Sequence, residues 1–154
     1  MDKNVQSPAN HVIIIDDDHL VRDFAVHTIE YGVNRKVIAF DSGFHAWKFF
    51  QHYPHMVDVV IADVNIPEMD GIELLTEFKQ KYPDKIFVIT TSNASYETLA
   101  GRLGADAFLL KPFDINELFF VVKRFIMGSG DMDIENVTPS PTTLKSQPDQ
   151  PSLQ

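Results

Sequence analysis

The sequence predicts a doubly wound α/β domain, a five-stranded parallel sheet flanked by five helices. Five short β-type runs alternate strictly with helix-period runs, the pattern of parallel strands joined by crossover helices. The β-type runs are continuously apolar rather than alternating, as in strands buried on both faces. Acidic, hydroxyl and lysine residues follow directly after these runs, where open α/β sheets place their chemistry.

The strands are expected at 12–15, 36–40, 57–62, 86–90 and 107–110, and the helices at 19–31, 43–52, 71–81, 95–103 and 114–127. Strand one, Val12-Ile13-Ile14-Ile15, ends in Asp16-Asp17-Asp18, and Asp18 is expected to point away or to cap helix one. In helix two, Trp47, Phe49 and Phe50 fit packing against the sheet better than a cofactor site. Strand three, from Val57 to Ala62, delivers Asp63, and helix three opens after Asp70-Gly71. Strand four leads into Thr90-Thr91-Ser92, and strand five into Lys111-Pro112. Helix five is the clearest: Asp114 and Glu117 form an N-cap pair. Ile115, Leu118, Phe119, Val122 and Ile126 then share one face.

Composition bounds the rest. At 154 residues with 44% hydrophobic content and twelve Phe, the chain carries enough apolar surface for one folded domain. A net charge of −9 argues against direct contact with nucleic acid. There is no Cys, so disulfides and thiolate metal sites are excluded, which suits a cytoplasmic setting. No apolar run is long enough to span a bilayer, and Met1-Asp2-Lys3-Asn4 does not begin a signal peptide. Residues 1–10 read as a flexible arm and 11–127 as the domain. Residues 128–154, with four Pro and two Gly, read as a disordered tail or linker.

Asp63 is the focus of the chemistry. Two strand ends that bring Asp16, Asp17 and Asp63 to one edge repel unless a divalent cation neutralises them. Carboxylates, hydroxyls and the Lys111 ammonium on one rim suit phosphoryl transfer, with one carboxylate as nucleophile. Taken singly, each feature has a plainer reading: Asp16-Asp17 as a solvated turn, the threonines as β-branched strand residues, Phe108 as core. The six His form no recognisable ligand pair, and no Gly-rich phosphate loop follows a strand.

Over residues 11–127 the sequence resembles the receiver domain of two-component response regulators, with its flavodoxin-like fold. The resemblance rests on Ile15-Asp16-Asp17 with Arg22, on Asp63-x-x-x-Pro67-x-x-Asp70-Gly71, on Thr91-Ser92, and on Gly104-Ala105-Asp106-Ala107-Phe108-Leu109-Leu110-Lys111-Pro112-Phe113. It implies that Asp63 is the phosphoacceptor. It places Mg2+ on Asp17, Asp63 and the backbone carbonyl of Asn65, with Asp16 acting through a metal-bound water. Lys111 pairs with Asp63 before transfer and with the phosphoryl group after it, and Lys111-Pro112 is a cis peptide. Thr91, with Thr90 as the alternative, closes on a phosphoryl oxygen while Phe108 turns inward.

The implied donor is a phosphohistidine on a sensor histidine kinase or a histidine phosphotransfer protein. The implied readout is a downstream protein target meeting the fourth and fifth helices and strand five. The stretch from Thr91 to Gly104 is about two residues shorter than is usual for the family, which bears on that partner face. With no second folded region in the sequence, a stand-alone regulator is expected, or a receiver cut from a longer chain. Two rivals stay open: a haloacid-dehalogenase-like phosphohydrolase, though Leu20 stands where its Thr or Val is expected, and a non-phosphorylated receiver-like interaction module.

Overall fold

A computed structural model describes residues 11–126, and the expected arm and tail lie outside the described residues. The strands are β1 (Val12–Ile15), β2 (Val37–Phe40), β3 (Val59–Asp63), β4 (Ile86–Thr91) and β5 (Ala107–Leu110). The helices are α1 (His19–Val33), α2 (Gly43–His52), α3 (Gly71–Lys81), α4 (Tyr96–Arg102) and α5 (Ile115–Ile126). All five strands pair in parallel, in the order β2-β1-β3-β4-β5. The strand order reverses between β1 and β3, so a crevice opens at their carboxyl ends.

Side-chain alternation divides the interior in two. Ile13, Ile15, Val60, Ala62, Phe87 and Ile89 face α2, α3 and α4, where Phe50, Leu74 and Phe78 complete the layer. Val12, Ile14, Val59, Ile61, Val88 and Leu109 face α1 and α5, against Ala25, Ile29, Leu118 and Val122. Burial on both faces is why these strands are apolar at every position. Phe78 joins the first layer by an edge contact, its ring 5.2 Å from Phe50, and by a tilted one 5.3 Å from Phe87. Trp47 is half-buried against the edge of Phe50, as expected of packing.

Helix starts follow local capping. Asp18 accepts from Leu20 N at 2.9 Å and so caps α1. The Ser42 hydroxyl accepts from His45 N, and the Asp70 carboxylate from Ile72 N and Glu73 N. Asp114 and Glu117 accept from each other's backbone N–H at 2.9 and 2.8 Å, the reciprocal box read from the sequence.

The structure moves several boundaries. β3 begins at Val59 because Pro54–Met56 forms a 3-10 turn; its exit keeps Val57 N bonded to Pro54 O, outside the ladder. Lys36 precedes β2, whose pairing starts at Val37, and β4 gains Thr91 through its pairing with Leu110. Helix α1 runs on to Val33 and stops at left-handed Asn34, φ 54°. Helix α4 is trimmed to Tyr96–Arg102, since Asn93 Oδ1 takes both the backbone N–H and the hydroxyl of Ser95.

Candidate functional site

The crevice is built by bonds that run one residue past the strands. Asp16 N donates to Phe40 O, Val64 N to Thr90 O at 3.0 Å, and Lys111 N to Thr91 O at 2.8 Å. The Arg22 guanidinium holds the Asp16 carbonyl at 2.6 Å. Gly71 N returns to Val64 O, and a Cβ on Gly71 would collide with the Asp63 carbonyl oxygen. The start of α3 therefore closes directly behind Asp63.

Strand parity decides which side chains meet. Asp16 follows Ile14 by two, Asp63 follows Ile61, and Lys111 follows Leu109, so all three continue the α1/α5 face. The Lys111 ammonium accordingly lies 2.5 Å from Asp16 Oδ2 and 2.9 Å from Asp63 Oδ2. Asp16 and Asp63 are 3% and 7% exposed, while Asp17 is exposed beside them. One carboxylate oxygen from each of Asp16, Asp17 and Asp63 lies within 4.8 Å of the others.

Burial raises the Asp16 carboxyl above the usual aspartate range, against the opposing pull of its bonds to Lys111 and Asp18 N. Burial also disfavours the Lys111 charge, yet the bonds to Asp16 and Asp63 outweigh it and hold the ammonium above the usual lysine range. One ammonium between three carboxylates leaves the notch short of positive charge. The donor set fits a hard divalent cation, because it holds only oxygens and neither imidazole nor thiolate.

The two threonines part company. Thr90 points to the α1/α5 side, lining a small hollow with Asp16, Phe113 and Leu118. Thr91 is fully buried on the opposite parity, and its hydroxyl accepts from Asn93 N at 3.2 Å at the head of the loop to α4. Phe108 is half-buried against the α3/α4 side and lines a groove with Ala94, Leu110 and Phe120. Asn65 is exposed, its N–H 3.3 Å from Asp63 Oδ1. Lys111-Pro112 is cis. The structure thus gathers Asp16, Asp17, Asp63 and Lys111, keeps Thr91 and Asn65 on the rim, and leaves Phe108 farther along β5.

One partnership escaped the sequence: Asp16 holds Lys111 more closely than Asp63 does. The parity of Ile14-x-Asp16 and Leu109-x-Lys111 carries that signal once the strand ends are fixed. Glu68, in the loop after Asp63, carries no sequence signal either, and it is held at φ 70°. That left-handed conformation costs a non-glycine residue about 1–2 kcal/mol. Glu68→Gly should therefore stabilise the domain by about 0.5–1 kcal/mol, net of glycine's unfolded-state entropy. Urea unfolding midpoints at equal slope measure it, and a loss of stability would show the conformation to be unstrained.

Beside Lys111-Pro112 lies an apolar hollow lined by Leu20, Val21, Phe24, Ser92 and Phe113. Leu20 and Phe24, on the first turns of α1, are exposed there. No described helix is long and apolar enough to cross a membrane.

Comparison with known proteins gives one direction. The family model of the response regulator receiver domain matches residues 12–123. The chain is 32% identical over 84 residues to response regulator ArlR of Staphylococcus aureus, covering 54% of this chain but only 38% of that one. Among solved structures, the response regulatory domain of protein mrkE from Klebsiella pneumoniae is 26% identical with a TM-score of 0.67. That match covers 76% of this chain and 95% of the other. Chemotaxis response regulator CheY4 of Vibrio cholerae is 27% identical, TM-score 0.68, covering 76% and 98%. A CheY-like receiver domain protein from Methanospirillum hungatei shares the fold at 19% identity, TM-score 0.70, covering 77% and 94%.

Proposed function

This chain belongs to the response regulator receiver domain family of two-component signalling, and from that membership we propose that it takes a phosphoryl group onto Asp63 from a phosphohistidine. The observation that supports this most is the Asp63 carboxylate, nearly buried and held 2.9 Å from Lys111 beside two further acids. The donor is a sensor histidine kinase or a histidine phosphotransfer protein in the cytoplasm. The exposed apolar surface of Leu20 and Phe24 next to the site supports a donor carried by a protein rather than a metabolite.

A carboxylate oxygen of Asp63 attacks phosphorus, the O–P bond forms and the P–N bond breaks. The electron pair of that bond stays on the departing nitrogen, and because the ring's other nitrogen carries a proton, the histidine leaves as a neutral imidazole. Asp17, Asp63 and the Asn65 carbonyl would hold Mg2+, with Asp16 close enough to assist. When bound, Mg2+ supplies neutralisation of charge on the phosphoryl oxygens. Lys111 exchanges its bond to Asp63 for one to the transferred group, and the rigid strand ends keep acceptor and ammonium aligned. Thr91, rather than Thr90, moves to a phosphoryl oxygen, because its hydroxyl sits at the head of the β4–α4 loop. Phe108 follows inward and reshapes the groove beside α4 and α5, to which a protein target binds. Water attack on the acyl phosphate resets the site, so the chain modifies itself and turns over no metabolite.

A small phosphoramidate donor tests this without the kinase. Wild-type protein should gain label that hydroxylamine releases, in Mg2+ and not in EDTA. Mg2+ at about 100 times its Kd should stabilise the fold by about 2.7 kcal/mol. Labelling that is unaffected by EDTA, or thermal unfolding that Mg2+ leaves unmoved, would contradict the assignment.

A further inference from the structure

The loop after Asp63 is not held by its own strand and helix alone. Its middle, Pro67 to Met69, lies against the first turn of α2, an element that contributes no side chain to the acidic notch. Gly43 N donates to Pro67 O at 3.3 Å, and a Cβ on Gly43 would overlap the Met69 carbonyl oxygen. That obstacle is backbone, so no side-chain rotation relieves it. Gly43 is itself fixed: it opens α2, and Ser42, buried at 3% exposure, caps that turn through His45 N. Within the loop, Ile66 N bonds Val64 O and Met69 N bonds Pro67 O at 2.8 Å, with left-handed Glu68 between. A tightly turned segment of this kind keeps its shape only when its surroundings over-determine it.

We propose that Gly43 is a positioning residue for phosphoryl transfer: the close approach of α2 at this point clamps Pro67–Met69 and so sets Asp63 and Asn65. This rests on the proposed function for its consequence, but the clamp itself is testable in metal-free protein. A displacement of the loop by a fraction of an ångström moves the Asn65 carbonyl and the acceptor carboxylate relative to each other, at the cost of alignment.

Gly43→Ala is the test, with two comparison variants. Gly101→Ala has nothing within 4 Å of the added methyl. Ile29→Val loosens the buried α1/α5 layer, away from this loop. In metal-free protein, Gly43→Ala should speed amide hydrogen exchange at Ile66, Met69 and Gly71 by about tenfold or more, with the comparison variants unchanged there. With phosphoramidate and saturating Mg2+, its maximal labelling rate should fall about tenfold, while Ile29→Val, even when equally destabilised, keeps the wild-type rate. If Gly43→Ala does not fold, Ser42→Ala, which removes only the cap, should shift the same amides and the same rate in the same direction by a smaller factor. Wild-type exchange at those amides overturns the clamp. Altered exchange with a wild-type labelling rate overturns the positioning role. A wild-type protein that takes no label overturns the proposed function instead and leaves the exchange result standing.

Discussion

Asp63→Asn should lower hydroxylamine-labile labelling by at least about 10³-fold, the scale on which enzymes lose activity with their nucleophile. The substitution keeps the shape of the side chain and removes the anionic oxygen proposed to attack phosphorus. The fold should survive it. Asp63 is one of three carboxylates crowded within 4.8 Å, and Asp16 still holds Lys111 at 2.5 Å. Far-UV circular dichroism and the melting temperature of the metal-free protein should therefore match or slightly exceed wild type, while its stabilisation by Mg2+ shrinks. Hydroxylamine-labile label at the wild-type level in this variant would place the acceptor elsewhere. Loss of fold would mean that Asp63 is chiefly structural.

Lys111→Ala should separate acceptance of the phosphoryl group from its consequence. The proposed acceptor Asp63 is intact, so label should still enter, more slowly by about 10²-fold given the loss of one charged donor. The ammonium that would hold the transferred group against β4 is gone, so the change around Thr91, Phe108 and α4 should not follow. Chemical shifts of Phe108 and Ala94 amides, with and without a beryllofluoride mimic, report it: large movement in wild type, little in the variant. Equal movement in both would remove Lys111 from the coupling.

The same substitution has a stability signature with a defined sign. The Lys111 pKa is raised in the folded state, so its stabilisation is complete below the usual lysine value and fades as pH rises through the raised value. The Asp16 pKa is raised too, so Asp16 favours the fold at acid pH and ceases to do so as pH climbs through its raised value. Both shifts therefore favour the fold at acid pH, and the Asp16 share is the first to decline as pH rises. Lys111→Ala removes the lysine's share and its charged hydrogen bonds, and should destabilise the metal-free protein by about 2 kcal/mol, with Mg2+ restoring much of the loss.

The fold was legible because its physics is local and redundant. Ile13, Ile14 and Ile15 face alternate sides yet are all buried, so an unbroken apolar run identified a two-sided strand. Asp114 and Glu117 announced α5 from three residues' spacing alone, and the structure joins them as read. What stayed hidden depends on partners distant in sequence. Gly32 looks like the end of α1, but the Phe119 ring of α5 occupies the space where a Cβ would stand, and the helix continues past it. Nothing in the sequence separates the turn at Pro54–Met56 from the apolar run that follows, and β3 starts at Val59, two residues past the expected Val57.

At the site, the residue types and their strand ends were readable, because Asp16, Asp63 and Lys111 each close an apolar run. Their mutual geometry was not. The close Asp16–Lys111 contact requires the parity of two strands that lie three places apart in the sheet. Gly43 carried no signal of its own, since a glycine before a helix reads as punctuation. Only the Met69 carbonyl lying across it gives the position meaning.

Where phosphorus becomes attached is the deciding observation. Borohydride cleaves an acyl phosphate by reducing the carbonyl carbon, converting the modified aspartate into homoserine, and peptide mass mapping then locates it. The receiver assignment predicts homoserine at position 63 alone, in protein treated with donor and Mg2+. Homoserine at 16 or 17, or a stable phosphoryl group on a histidine or hydroxyl side chain, would contradict it.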